Sequence, residues 1–481
     1  MKLWQTAYLW LLLASSALAV HPFKKVWENT QYSKTVDVAK SYIKERHDIQ
    51  VTNIDSEPVK QYIFGIPKET EQDASLVIAI YQAKNGKKSL LQPSKLPIVD
   101  NEVLYYDLKF PYPIAPGSTF EFVISVIMIN QFTPYPEHIP MQGQQTLKFL
   151  LPAYPLSPYD TQSYSLNIAH SHSLEALNME DLEVPLLKTE EKTVISYFTK
   201  DTIKGNMVDQ LAFTTARNAP LQYVNYLQRD LWVSHWSQVI QLEEYYELTN
   251  HAAGLDKGFS RATYMAEGLP TKLTHAINSL RIPFDTTKQM QYDSIYYVDK
   301  VGNVSTSQYY ESELIVRPRF PLFGGWNYNF TLGWNYNLDQ FVKQDKEEFI
   351  LNANILDGMQ DTTYGKVQFS IYLPEGAELI DYALPFAVAE PVVTHKHSYL
   401  DVNDGHLKVT FEFENLVDEM KNLSIVLRYR YTTAAMLHKP LQAAFYIFLA
   451  LMGLYVLKKI DLSIKPMEAV KKVKEVEETE K

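Results

Sequence analysis

Trp326-Asn327-Tyr328-Asn329-Phe330-Thr331-Leu332-Gly333-Trp334-Asn335-Tyr336-Asn337-Leu338 is the stretch that decides the fold class. Every even position is apolar or aromatic, and every odd one is Asn, Thr or Gly. A period of two held this long requires a β-strand with one buried and one wet face. The stretch also carries a tandem G-W-N-Y-N, at Gly325–Asn329 and Gly333–Asn337. A spacing of eight returns to the same face, so the tandem belongs to the strand pattern and not to a binding code.

The rest of the chain agrees with that class. Aromatics make up 13% of the 481 residues, led by 33 tyrosines, and aromatic side chains favour strands. There is no cysteine, so folding rests on core burial without disulfides. A net charge of −11 argues against nucleic acid as a partner. Asn85-Gly86, Asp357-Gly358 and Asp404-Gly405 read as hairpin turns. The chain also carries a faint internal repeat. Phe110-Pro111, a Pro/Gly turn, the strand 120–129 and T-L-K-F-L-L-P at 146–152 parallel Phe320-Pro321, Gly324-Gly325, the alternating strand and V-Q-F-S-I-Y-L-P at 367–374. The polar stretch 199–220 is the natural boundary between the two parts. Ser33–Arg46 and Asp256–Leu280 are the candidate helical segments. The expected fold is mostly β: two tandem, sandwich-like domains, residues 20–219 and 220–434, and one C-terminal transmembrane helix.

Both ends place this β-rich mass in the secretory lumen. Lys2, the apolar Tyr8–Leu13 and Ala17-Leu18-Ala19 have the make-up of a cleaved signal peptide over 1–19. Leu441–Leu457 is uncharged and as a helix would be about 26 Å long, close to the roughly 27 Å hydrocarbon layer of the endoplasmic reticulum. Lys439 and Lys458-Lys459 bracket it, which favours a membrane span over 439–457 with a cytoplasmic tail, 458–481. Within the span Ala443, Ala450 and Gly453 fall within about 80° of one helical face at 100° per residue, a face on which a partner helix could pack closely.

Catalytic patterns are missing. There is no G-x-S-x-G elbow, no H-E-x-x-H, no Walker loop and no dinucleotide fingerprint. His170 with His172, and His395 with His397, are half-sites for a metal at most, each without a third ligand nearby. Asp401–Gly405 has the outline of a calcium loop without its spacing or its later glutamate. Glu243-Glu244 are adjacent on a strand and face opposite ways, so they cannot flank one glycosidic bond. No catalytic, metal or cofactor site is expected. What remains are three N-glycosylation acceptors: Asn303, Asn329 and Asn422.

Several segments resemble one family. Val233-Ser234-His235-Trp236, Phe259-Ser260-Arg261, V-G-N-V-S-T-S at 301–307, R-P-R-F-P-L-F-G-G-W at 317–326, Leu373-Pro374-Glu375-Gly376-Ala377 and Lys439-Pro440-Leu441 running into A-A-F-Y-I at 443–447 are similar in order and spacing to the ribophorin I family. The resemblance is specific from about Val233 to the span; before that it rests on position. The chain ends 24 residues after the span, like short-tailed fungal members.

The resemblance implies a non-catalytic subunit of the endoplasmic reticulum oligosaccharyltransferase complex. That complex moves a preassembled oligosaccharide from a dolichol-pyrophosphate carrier to asparagine in Asn-X-Ser/Thr. The reactive site would lie on a different, multi-spanning subunit. It further implies a single-pass type I protein of the endoplasmic reticulum membrane, partnered by other subunits and by nascent polypeptide acceptors and aiding assembly and acceptor positioning. Topology alone leaves open a type I cargo or receptor protein of the secretory pathway, and an enzyme with an unrecognised lumenal site. The terminal E-E-T-E-K is no retention address, so retention would come from assembly.

Overall fold

The computed structural model describes residues 23–460 apart from 84–85, 101, 171–172, 270–271, 273, 286, 289, 311, 399–400 and 402–403. The expected signal peptide over 1–19 and most of the expected tail lie outside the described residues, as does His172.

The chain opens with β1 (Trp27–Asp37), β2 (Ile43–Asn53), β3 (Val59–Pro67), β4 (Ala74–Gln82), β5 (Lys88–Leu91), β6 (Ser94–Asp100), β7 (Val103–Ile114) and β8 (Thr119–Met128). Then come β9 (Thr133–Pro134), β10 (His138–Ile139), β11 (Thr146–Pro152), β12 (Tyr164–Ala169), β13 (Leu174–Ala176), β14 (Leu187–Glu190), β15 (Val194–Thr199) and β16 (Gln210–Ala216). They make an eight-stranded sheet ordered 14-15-12-1-2-8-4-5, a four-stranded sheet 13-16-11-9 and a three-stranded sheet 3-7-6.

The second half starts with β17 (Gln222–Ser234), β18 (Val239–Asn250), β19 (Gly254–Leu255), β20 (Leu280–Pro283), β21 (Met290–Asp299), β22 (Gly302–Asn303), β23 (Gln308–Tyr310), β24 (Glu313–Val316) and β25 (Asn327–Asn337). It continues with β26 (Val342–Asp345), β27 (Glu348–Asn354), β28 (Thr362–Leu373), β29 (Glu378–Ala383), β30 (Val392–Lys396), β31 (His406–Val417) and β32 (Ser424–Arg430). Its sheets run 30-31-28-17-18-25-21-22, 29-32-27-26 and 20-24-23. Helices are α1 (Lys68–Glu71), α2 (Arg261–Ala266) and α3 (Thr433–Lys459).

Setting β17 on β1 superposes the whole strand order of the second half on the first, sheet by sheet. Among the described strands only β10 and β19 stand outside the match, and they pair with each other in parallel, tying the halves together. The repeat extends to single hydrogen bonds. The pairing of β1 with β2 slips at Thr30, and that of β17 with β18 at Asn225. Asn53 ends β2 and donates to the carbonyls of Glu57 and Ile114 at 2.9 and 2.8 Å. Asn250 ends β18 and donates to those of His275 and Leu322 at 2.7 and 2.8 Å. Gly117 and Gly325, both at positive φ, donate to the carbonyls of these asparagines at 2.8 Å.

This register corrects the repeat read from sequence. Leu322 answers to Ile114, so Phe320-Pro321 answers to Tyr112-Pro113 and not to Phe110-Pro111. The strand 146–152 is β11, whose counterpart is β27; 367–374 belongs to β28, in the other sheet. Turn-strand spacing cannot tell the two sheets of a sandwich apart. Ser33–Arg46 is β1, a loop and β2, not a helix, whereas Asp256–Leu280 does contain α2. Asp357-Gly358 lies where the chain crosses between sheets, and Asp404-Gly405 ends the nine-residue connection between β30 and β31, so neither is a tight hairpin.

The alternating stretch becomes β25, with Tyr328, Phe330, Leu332, Trp334 and Tyr336 all buried. Two hydrophobic clusters fill the halves. One runs from Trp27 to Leu221, and the other from Val224 to Tyr431 with Tyr42 and Ile129 inserted from the first half. Each fully buried large apolar side chain contributes roughly 1.5–3 kcal/mol. The halves are also clamped by charge. Asp418 accepts from Tyr42 Oη at 2.6 Å, from Lys40 at 3.0 Å and from the Asp361 amide at 3.0 Å, while Arg217 pairs with Asp361 at 2.6 Å.

Candidate functional site

The segments that carry the family resemblance are far apart in sequence, and the fold gathers three of them where the last strand meets α3. β32 ends at Arg430 and α3 begins at Thr433. Of the two residues between, Tyr431 is buried, and the Thr432 side chain caps the helix by accepting from the Ala435 amide at 3.2 Å. The helix therefore starts six residues before the expected 439. The span read from the apolar run lies inside it, since caps and not hydropathy fix helix ends.

Pro440 sits inside α3. Having no N–H, it leaves the carbonyl four residues earlier, at Met436, without its helical donor. The Trp236 indole, on the turn between β17 and β18, donates to that carbonyl at 3.2 Å. One turn on, Lys439 is ion-paired with Asp401 and, at 3.5 Å, with Glu375. Burial pushes the Asp401 carboxyl up, but Lys439, the Ser398 amide and His406 more than offset it and hold it below the usual carboxylate range. Gly376 completes the joint: at φ +81° a Cβ there would be strained, and it would stand 3.1 Å from Ala435 Cβ.

Beside this joint lies a cavity of about 500 Å³ lined by Val233, His235, Trp236, Pro440, Ala443 and Tyr446 among others. His235 lies against the Phe349 ring, with Nε2 2.8 Å from Tyr429 Oη. Burial pushes its imidazole down to about 4, so it is neutral at pH 7.

The second gathering surrounds Asn303. Asp299 accepts from the amides of Val301 and Gly302 at 2.9 and 3.1 Å. Arg319 pairs with Asp299 at 2.5 Å and donates to the Asn303 carbonyl at 2.9 Å. The arginine holds the Asp299 carboxyl below its usual range. The turn is thus fixed from R-P-R-F-P, and the Asn303 side chain projects exposed. Phe259, Phe323 and Trp326, from two of these segments, pack together.

The other predicted residues are scattered. Asn422 is exposed at the end of a 3₁₀ turn. Asn329 is half-buried within β25 and donates to Tyr245 Oη at 3.0 Å. Ala443, Ala450 and Gly453 are all exposed on α3, Ala443 at the cavity wall. Glu243 and Glu244 do point apart: Glu244 is buried against Arg229, and Glu243 accepts from Tyr296. Among the described residues no group of three or more His, Asp or Glu could hold a metal ion. Sequence reasoning missed the roles of Asp401 and His406. The former is 38 residues from Lys439, and nothing in the local pattern couples them.

Together these features define a twin β-repeat protein joined without a flexible linker to one helix long and apolar enough to cross a membrane. The chain belongs to the ribophorin I family, whose model matches residues 27–458. It is 26% identical over 466 residues to dolichyl-diphosphooligosaccharide–protein glycosyltransferase subunit 1 of Caenorhabditis elegans, covering 94% of this chain and 76% of that one. The subunit 1A of Arabidopsis thaliana is 28% identical, covering 94% and 73%. The Schizosaccharomyces pombe subunit 1 is 25% identical, covering 89% and 93%. Among solved structures, leukotriene A4 hydrolase from Saccharomyces cerevisiae overlaps 44% of this chain and 33% of its own at 9% identity with a TM-score of 0.29, a likeness too slight to support any inference.

Proposed function

We propose that this chain is an accessory, non-catalytic subunit of the oligosaccharyltransferase complex in the endoplasmic reticulum membrane. It acts in N-glycosylation by supporting assembly and by holding acceptor polypeptide near the active site of a multi-spanning catalytic subunit. The two repeats, divided near residue 220, face the lumen as domains, and the tail faces the cytosol. The face of Ala443, Ala450 and Gly453 packs on a partner span. Asn303 and Asn422 are the readier glycan acceptors, because Asn329 is engaged within its sheet.

The observation that carries the positioning role is the joint. A subunit that only tethered substrate would work from a floppy linker; here Trp236 and Lys439 bond α3 to the β body, while Thr432 caps its first turn and Gly376 leaves room for it. The test is a run of about ten Gly/Ser residues inserted between Tyr431 and Thr432, flexible by composition. After mild-detergent purification through a tag on the tail, the other subunits should still be present while transfer to acceptor peptides falls several-fold. Full transfer would refute positioning, and an eluate without oligosaccharyltransferase subunits would refute the assignment.

A further inference from the structure

The two repeats differ at one matching place inside the strands. Lys34 and Arg229 each stand four residues beyond the slip in the first strand pair and point between the sheets. In the first repeat Lys34 pairs with Glu45 at 2.7 Å, and Glu45 lies 3.1 Å from His47. The void beside them is only about 30 Å³. In the second repeat the same position opens into a cavity of about 250 Å³. Register shows that the two spaces correspond. Glu45, Met128 and Pro152 of the first repeat answer to Leu242, Tyr336 and Asn354 of the second, all lining residues. Gln210 answers to Ser424, so Val208 answers to Asn422, an acceptor asparagine that lines this cavity.

The walls select a ligand class. Arg229, 2% exposed, forms the floor. It is paired with Glu244 and with Asp357, yet its Nε is buried with no hydrogen-bond partner. Lys288 stands 4.2 Å over the Phe341 ring and 3.8 Å from Asp285. Phe284 and Tyr336 add aromatic surface, and Lys421 stands beside Asn422. A free anion would meet Asp285 and Asp357, and a free cation would meet Arg229, Lys288 and Lys421. An apolar ligand would leave these donors and acceptors unpaired. A neutral polyhydroxylated ring fits, because each hydroxyl both donates and accepts while the C–H faces lie on aromatic rings.

We propose that this cavity is a sugar subsite that receives the first residues of a glycan carried on Asn422 itself. The proposal rests on the lumenal placement argued above. In the modification, Asn422 Nδ2 attacks the anomeric carbon of the carrier-linked oligosaccharide. A C–N bond forms, the bond from that carbon to the pyrophosphate oxygen breaks, the carrier leaves as its pyrophosphate, and Nδ2 gives up a proton. The attached sugars then fold back onto Phe341 and Phe284, and the second repeat gains a filled interior where the first has side chains.

The test uses the intact complex. Site occupancy is measured by mass spectrometry, followed by the rate at which an endoglycosidase releases each glycan before and after denaturation. Asn422 should be occupied, and its glycan released at least tenfold more slowly than that of Asn303 in the native complex, with the difference gone after denaturation. Lys288→Ala and Phe284→Ala should each remove the protection while occupancy stays. An occupied Asn303 with an empty Asn422, or equal native release rates, would overturn the subsite and leave the lumenal placement standing. Both sites empty would overturn the placement and the subsite together. Should either variant fold poorly, the native-to-denatured ratio of the unaltered protein decides the question alone.

Discussion

The loop joining the first two strands grips a different neighbour in each repeat. In the first it presents Lys40, Ser41 and Tyr42 to Asp361 and Asp418 of the second repeat. In the second it presents Trp236 to the carbonyl that Pro440 leaves open in α3. The protein is therefore built head to tail, each repeat gripping the next unit of the chain by the same end of the same sheet. A duplicated fold can keep its framework and change function by altering what two or three equivalent residues touch.

Substitutions at matching positions test how far that equivalence goes. The largest contrast should come from the buried ion pairs. Arg229→Met leaves Glu244 with only the Tyr246 hydroxyl at 2.6 Å and leaves Asp357 unpaired, and breaking a buried pair in this way costs about 3–5 kcal/mol. Lys34→Met should cost less, since it deprives one carboxylate and not two, and Glu45 keeps His47. Denaturant unfolding of the full chain in detergent reads both, and equal losses would dissolve the contrast. Next come the paired asparagines. Asn250→Ala removes four hydrogen bonds, two donated and two accepted from Leu221 and Ala252. Asn53→Ala removes two donated and one accepted from Asp55. Each should destabilise by about 2–4 kcal/mol, Asn250→Ala by more.

The pH response sharpens the comparison further. His235 is pushed from an unfolded value near 6.5 to about 4, chiefly by burial. Between those values the unfolded chain binds more protons, so stability is fully present above pH 6.5 and is lost as pH falls toward 4. Linkage between those two values makes the loss about 1 kcal/mol between pH 6.5 and 5.5. His47 is also lowered by burial, but Glu45 opposes the shift. His235→Gln should therefore flatten the pH dependence of Tm more than His47→Gln does. The smallest effect belongs to the helix grip. Trp236→Phe should cost about 1 kcal/mol against wild type and close to nothing in a Pro440→Ala background, where the Met436 carbonyl regains a helical donor. The same cost in both backgrounds would mean that the indole acts only by packing.

Range decides how much of this is legible in the sequence. The alternation of Trp326–Leu338 and the apolar run Leu441–Leu457 are local patterns, and both become the elements they describe. Asp357-Gly358 has turn chemistry too, yet the chain crosses between sheets there, because Asp357 answers to Arg229 across 128 residues. The repeat is audible in Phe-Pro and Leu-Pro pairs, but the register they suggest is wrong on both counts: strand pairing, not dipeptides, defines equivalence. Asn303 is legible as an acceptor. Its clamp by Arg319 is not, since it depends on how β21 and β25 lie side by side. The joint around Lys439 is visible only as separate segments, and the cavity beneath Asn422 not at all.

The two-residue passage from Arg430 to Thr433 also fixes an azimuth. A helix advances about 100° and 1.5 Å per residue, so one residue inserted after Tyr446, beyond the joint, would swing the entire β body by about a quarter-turn about the helix axis while scarcely raising it. Four residues would bring it back to within about 40° of its starting heading and lift it by roughly 6 Å. Bearing and height are thus separately adjustable in this molecule, and comparing the two insertions would reveal which of them its neighbours require.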